Sequence, residues 1–328
     1  MHACGNLTMV TMRYRMLGET DLFVSQIGFG ASPLGDVFGA TDPAESTRAV
    51  RQAVASGINF FDVSPYYGRT LAEKRLGNAL IGIRKNIILS TKCGRYGFDS
   101  FDFSASRIKR SIDESLTRLQ TDYVDLFMAH DIEFGSLDQI VGETLPALQE
   151  VQKSGKARYI GITGYPLAIL KAATESQRVD AILSYCHYNL LITDLEDDLE
   201  PFAKAQRIGL INASPLHMGL LTEAEVPVWH PAPAGVRSAA KQVVELCRAR
   251  EVDPAVMALG FSIGQPYVAS TLVGMSNSEQ VETNLRALDF ELDPVLLLEL
   301  QQIVAPVKDV VWASGLSQTF DVKSCPER

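Results

Sequence analysis

The chain has 328 residues and is 46% hydrophobic, which allows a large core and suits the length of a single α/β barrel. A net charge of −9 with no basic stripe argues against nucleic acid or anionic membrane as partners, and there is no apolar run of about 20 residues to span a membrane. Five scattered cysteines (Cys4, Cys93, Cys186, Cys247, Cys325) without a Cys-x-x-Cys pair, and five histidines (His2, His130, His187, His217, His230) without ligand spacing, point to neither a disulfide framework nor a metal centre; free thiols suit a reducing, cytoplasmic compartment.

Residues 1–12 lack the apolar stretch of a secretory signal and are expected to be a flexible extension, leaving 13–328 as a single domain. Arg13 to Val24 predicts a β-hairpin turning at Gly18 to Asp21. A strand follows over Ser25 to Gly30. Asp42-Pro43 opens a helix that runs to Ser56 and stops at Gly57. Strands are then predicted over Ile58 to Asp62, Asn86 to Lys92, Tyr123 to Met128, Tyr159 to Ile162, Ala181 to Tyr185, Gly209 to Ala213 and Ser270 to Val273.

Between them lie helices over Leu71 to Leu80, Ser104 to Leu119, Leu137 to Lys153, Pro166 to Glu175 and Asp194 to Gln206, with a pair near Ala234 to Arg250 and Pro254 to Ile263. Ser278 to Leu288 and Pro294 to Ile303 complete the series. In the third helix Ile108, Ile112, Leu116 and Leu119 share one face. Eight short apolar strands alternating with helices predict an α/β fold, a (β/α)8 (TIM) barrel. The N-terminal β-hairpin would close its bottom and the extra C-terminal helices would decorate its outside. A doubly wound sheet fits less well, since no GxGxxG follows the first strand.

In such a barrel the chemistry sits where the strands end. The second strand ends in Asp62, with Tyr67 five residues on; the third ends in Lys92; the fourth leads to His130. A lysine buried at a strand end needs a partner, and Asp62 is the natural one. A lysine cation beside Tyr67 favours the phenolate and lowers its pKa. His130 can donate a hydrogen bond to a substrate oxygen. These four make an acid/base group, its tuning cation, the cation's anchor and a polariser.

Asp62, Tyr67, Lys92 and His130 resemble the catalytic tetrad of the aldo-keto reductases. The resemblance extends along the chain through Leu17 to Ser25, Ile27 to Gly30, Lys156 to Gly161, Ser214-Pro215-Leu216 with Gly219-Leu220-Leu221, and Glu282-Thr283-Asn284. It implies a hydride transfer between a nicotinamide and a carbonyl or alcohol carbon. It also implies a cofactor site built from Ala31, Thr163, Tyr185, Ser214, Pro215, Leu216, Gly219, Leu221, Gly274, Ser276, Gln280 and Asn284.

The sequence departs from the family's usual pattern at three places in or beside this site. Thr163-Gly164 stands for Ser-Asn, Tyr185 for Gln, and Ala213 for an aromatic. At the two positions that pair with a 2′-phosphate in NADPH-preferring members stand Gly274 and Gln280, so NAD is the expected cofactor. The branch of the family that oxidises L-galactose shares these departures. It also shares long words over residues 30–35, 57–62, 91–96, 130–140, 182–188 and 273–276.

The resemblance to that branch implies oxidation of an aldose at C1 to its lactone, with L-fucose, D-arabinose and pyridoxal as substrates of relatives. Tyr66, Tyr96, His187 and Trp229 are the candidate substrate contacts, and Trp312 is a further aromatic of the tail. A monomer or weak homodimer acting on a small sugar is expected, as against an NADPH carbonyl reductase or a cofactor-binding regulatory subunit. Cys93, next to Lys92, is either core filler or a thiol of lowered pKa.

Overall fold

The computed structural model describes residues 11–316 apart from Ser176. A hairpin of β1 (Tyr14–Met16) and β2 (Phe23–Ser25) opens the fold, pairing Tyr14 with Ser25 and Met16 with Phe23. Eight parallel strands then form a closed barrel: β3 (Ile27–Gly30), β4 (Phe60–Asp62), β5 (Ile88–Cys93), β6 (Val124–Ala129), β7 (Ala157–Gly164), β8 (Ala181–Tyr185), β9 (Gly209–Ala213) and β10 (Ser270–Gly274). β10 closes the ring against β3, with Thr271 opposite Ile27 and Gly274 opposite Gly30.

The barrel helices are α1 (Pro43–Ala55), α2 (Leu71–Ala79), α3 (Ala105–Leu119), α4 (Leu137–Gln139) continuing into α5 (Leu145–Lys153), α6 (Leu167–Glu175) and α7 (Glu200–Gln206). After β9 come α8 (Ala234–Ala249) and α9 (Pro254–Ile263), and after β10 come α10 (Ser278–Arg286) and α11 (Pro294–Val304). Local signals set their ends. Asp42 accepts the Ala44 N–H at 2.8 Å ahead of Pro43, and Gly57, at φ +92°, follows the end of α1. Asp253 does the same for α9.

Three apolar layers hold the barrel. Inside it, Phe60, Leu126, Met128, Ala181, Leu183, Ile211 and Leu272 pack with Leu17, Leu22 and Val24 of the hairpin. The hairpin is thus a bottom plug, and a Cβ on Gly18 would stand 2.4 Å from the Gly209 amide nitrogen at the start of β9. A second layer joins the outer strand faces to the barrel helices, including Ile108, Ile112 and Leu119 of α3. The third gathers α8, α9 and α11 around Leu190 to Ile192 and Leu220-Leu221.

Strand ends differ from the sequence expectation by up to two residues, as in Ala157–Gly164, and two further features depart from it. Met12, placed by sequence in the flexible extension, is buried in the core over Gly57. Residues 1–10 of the expected extension lie outside the described residues. The helices expected over Leu137 to Lys153 and Asp194 to Gln206 each carry a π-helical segment, Ile140–Thr144 and Leu195–Leu199. Among the described residues, no helix is long and apolar enough to cross a membrane.

Candidate active site

Asp62 is the last residue of β4, Lys92 lies one residue before the end of β5, and His130 follows β6 directly. Tyr67 stands in the turn beyond β4. That turn is tightened by Tyr67 N–H to Ser64 O at 3.1 Å and Thr70 N–H to Pro65 O at 2.8 Å. Its other support is a contact between two glycines: Gly68, at φ +61°, lies so close to Gly35 that a Cβ on it would be 2.2 Å from the Gly35 carbonyl oxygen. Only glycine meets both demands. Gly68→Ala is therefore expected to lower unfolding free energy by about 2 kcal/mol or more. Denaturant titration checks this, and a loss under about 0.5 kcal/mol would show that the turn tolerates a side chain.

The strand ends and this turn converge. Lys92, 1% exposed, donates to the Asp62 carboxylate, to Val63 O at 3.1 Å and to the Tyr67 hydroxyl at 3.1 Å. The His130 ring meets the Tyr67 ring edge-on, centroids 5.6 Å apart. Burial works to lower the Lys92 pKa, but Asp62 and Tyr67 outweigh it and hold the pKa above its usual value. Burial pushes Asp62 upward against the pull of Lys92. His130 is pushed down to about 3, chiefly by burial, with Lys92 and Arg95 acting the same way against Asp131, so it is neutral.

Tyr67 corrects one expectation. Lys92 does pull its pKa down, yet the pKa is raised to about 12, because burial outweighs the lysine and Asp62 adds to the rise.

Tyr66 lies beside this group, its ring 5.8 Å from His130 and under the Arg95 guanidinium at 3.9 Å. Tyr96 faces elsewhere, contrary to its expected place in the pocket. Its hydroxyl accepts the Gly94 N–H at 3.1 Å and its ring lies under Arg107 at 3.7 Å, against α3. Gly94, at φ +91°, breaks the strand alternation after Cys93, so Arg95 and not Tyr96 turns toward the tetrad. Arg95 pairs there with Asp131. Cys93 is fully buried, and burial raises its pKa, so it is core filler.

His187, 2% exposed, bonds Asp194 through Nδ1 at 2.7 Å and packs on Tyr165 with centroids 4.6 Å apart. Its ring is part of an aromatic wall, and its Nε2 is buried with no partner among the described residues. Tyr165 in turn touches Tyr185 at 5.2 Å and stacks on Trp312 at 4.3 Å. Trp229 is half exposed at the rim, 5.8 Å from Phe38. Sequence reading passed over Arg95, Asp131, Tyr165 and Glu133. Buried Glu133 accepts the Tyr165 N–H at 3.2 Å and the Ser314 hydroxyl at 2.9 Å, pinning the tail that carries Trp312. Burial, then Asp131, raises its pKa to about 8.

The residues assigned to the cofactor by resemblance lie on the barrel's C-terminal side. Ala31 donates its N–H to Asp62 O at 2.8 Å. Thr163 Oγ1 accepts the Asp131 N–H at 3.2 Å, and its hydroxyl proton remains to be given. Ser214, at φ +59°, begins a turn over Pro215 and Leu216 to Gly219, with Leu221 buried beneath it. Gly274 is exposed, and a Cβ there would stand 2.9 Å from Pro33 Cγ. Gln280 turns its oxygen onto the Ser276 N–H at 2.7 Å and the Ser276 hydroxyl at 3.1 Å. Glu45 of α1 accepts the Ser278 N–H at 2.8 Å, so the N-terminus of α10 already faces a carboxylate.

A parallel eight-stranded barrel with an Asp–Lys–Tyr–His group at its C-terminal mouth defines an oxidoreductase of the nicotinamide-dependent barrel type. Residues 26–305 match the Aldo/keto reductase family, and the chain belongs to it. It is 49% identical to L-galactose dehydrogenase of Arabidopsis thaliana over 320 residues, covering 94% of this chain and all of that one. D-arabinose 1-dehydrogenase of Saccharomyces cerevisiae is 31% identical, over 80% of this chain and 82% of its own length. Among solved structures, an aldo-keto reductase of Bacillus halodurans in its holo form superposes with a TM-score of 0.76 at 28% identity, covering 92% of this chain and 98% of that one.

The residues present suit the nicotinamide dinucleotide of this family. Gly274 is exposed and leaves a side-chain-free approach beside Pro33, Thr163 Oγ1 has a proton to give, and Asn284 on α10 is 4% exposed. Asn284 and Ser276 would hold the adenosine end, and Thr163 the carboxamide.

Proposed function

We propose that this protein is an NAD-dependent aldose 1-dehydrogenase of the cytoplasm that oxidises L-galactose at C1 to its lactone. The observation that carries the reaction class is the buried contact of Lys92 with both Asp62 and Tyr67 beside a neutral His130. C1 of a pyranose bears one hydrogen and one hydroxyl. Tyr67, ionised, takes the hydroxyl proton, and Lys92 stabilises the phenolate that does so. His130 donates to the oxygen as it becomes a carbonyl. The bound nicotinamide supplies the hydride acceptor. The ring oxygen of a hemiacetal stabilises positive charge at C1, which favours this substrate class over plain alcohols.

The choice of sugar rests on the Arabidopsis L-galactose dehydrogenase, and the C1 position on the yeast relative named for it. The preference for NAD rests on side chains. Gly274 and Gln280 bring no cation, and the Glu45 carboxylate, itself paired with Arg48, already takes the Ser278 N–H at the start of α10. A panel of L- and D-aldoses with NAD⁺ and NADP⁺, followed by absorbance of the reduced cofactor, tests this. The highest kcat/KM is expected for L-galactose with NAD⁺. A clearly higher value for L-fucose, its 6-deoxy analogue, overturns the substrate and leaves the reaction class standing, a higher value with NADP⁺ overturns the cofactor, and no lactone from any aldose overturns substrate and reaction class together.

A further inference from the structure

His130 can polarise a reacting oxygen only if its single proton sits on the nitrogen that faces that oxygen. The geometry points to Ser64 and Asp131 as two positioning residues that fix His130 with its proton on Nε2. This rests on the tetrad reading above and adds two residues to it.

The Ser64 hydroxyl lies 2.9 Å from His130 Nδ1. The same oxygen already accepts the Tyr66 backbone N–H at 3.1 Å, and Ser64 is wholly buried. A hydroxyl has one proton to give. Donated to Nδ1, it satisfies both groups and leaves the imidazole proton on Nε2. In the opposite tautomer Nδ1–H would donate to Ser64, whose own proton would then have no acceptor among the described residues. A buried donor without a partner carries its full desolvation penalty.

The other side of the ring selects the same form. The Asp131 carboxylate stands 3.7 Å from Nε2. An N–H there meets negative charge favourably, and a lone pair there would be repelled. Asp131 is held in place from several directions. Arg95 pairs with its carboxylate, its N–H donates to Thr163 Oγ1 at 3.2 Å, and its φ of +53° puts a non-glycine residue in the left-handed region. Such backbone persists only where the surroundings determine it. Arg95 also lies over Tyr66, whose N–H steadies Ser64. One arginine–tyrosine stack therefore braces both positioning residues.

The charged and titratable groups facing the ring are Asp131, Lys92, Arg95, Tyr66 and Tyr67. Burial and the two cations keep His130 from taking a second proton. So fixed, His130 donates and does not accept, which leaves Tyr67 as the acceptor of the substrate proton.

Nuclear magnetic resonance of protein carrying isotope-labelled histidine reads the tautomer directly, with His130 assigned by its loss in His130→Gln. The readout needs no substrate, so it is independent of the sugar reading. In the wild type, Nδ1 is expected to be unprotonated and Nε2 protonated at neutral pH. Ser64→Ala should move the Nδ1 signal, because its lone pair loses its donor, and lower kcat about tenfold, with KM changed less than about twofold. In a His130→Gln background the same change should cost less than about twofold more, because its effect runs through the histidine. A wild-type proton on Nδ1, an unmoved Nδ1 signal in Ser64→Ala, or fully additive losses would each overturn the proposal. The wild-type spectrum decides the tautomer even where Ser64→Ala does not fold.

Discussion

Tyr67→Phe should lower kcat for sugar oxidation by about 10²–10⁴ while leaving cofactor affinity nearly unchanged. The change removes one oxygen from the ring. That oxygen touches Lys92 at 3.1 Å and, with His130 neutral and donating, is the group placed to take a proton from the substrate. Ring packing survives, because the edge contact with His130 at 5.6 Å and the turn around Gly68 need no hydroxyl. Stopped-flow turnover gives the rate and fluorescence quenching gives cofactor affinity. A rate within about tenfold of wild type would remove Tyr67 from its role. With the phenol pKa pushed up to about 12, the wild-type rate should also climb with pH through the alkaline range, because oxidation needs the ionised form.

Much of this architecture is legible in the chain because the barrel repeats a simple grammar. Ala181–Tyr185, Gly209–Ala213 and Pro254–Ile263 begin and end where apolar runs and caps say they should. Asp62, Lys92 and His130 stand out because polar groups at the ends of apolar strands need partners. Periodicity fails where the backbone leaves it. The π-helical segments Ile140–Thr144 and Leu195–Leu199 share their apolar spacing with ordinary helix, so nothing in the residue pattern marks them.

The exchange of Tyr96 for Arg95 has the same origin. Alternation carried past Cys93 turns Tyr96 inward, whereas Gly94 reverses the chain into an antiparallel bridge between Arg95 and Phe101. A glycine directly after a strand was the available signal. No local signal places Tyr165, Trp312 and Glu133 together, since Tyr165 and Trp312 are 147 residues apart and meet only when the tail folds back. The rise of the Tyr67 pKa was hidden for a different reason. Sequence shows which charges can approach a phenol, but the depth of burial that outweighs them is a property of the packed barrel.

Lys92→Met gives the second large effect, and it separates catalysis from stability. Methionine keeps much of the buried volume but removes the charge and the hydrogen bond that pull the phenol pKa down. The Tyr67 pKa should then rise further, the rising limb of the pH profile should move upward, and the rate at fixed pH should fall by about 10–10³. Asp62→Asn should act more weakly, since it works through Lys92. The lysine also neutralises Asp62, which is 3% exposed, so its loss strands a buried carboxylate and should cost about 3–5 kcal/mol of stability. Combining Asp62→Asn with Lys92→Met removes both members of the pair. Stability should largely return, as the stranded charge is gone, but the rate should not, because no cation faces the phenol. If the double variant regains both stability and rate, Lys92 acts only as structural support. If it regains stability alone and its pH limb stays high, the lysine's work is on the Tyr67 proton.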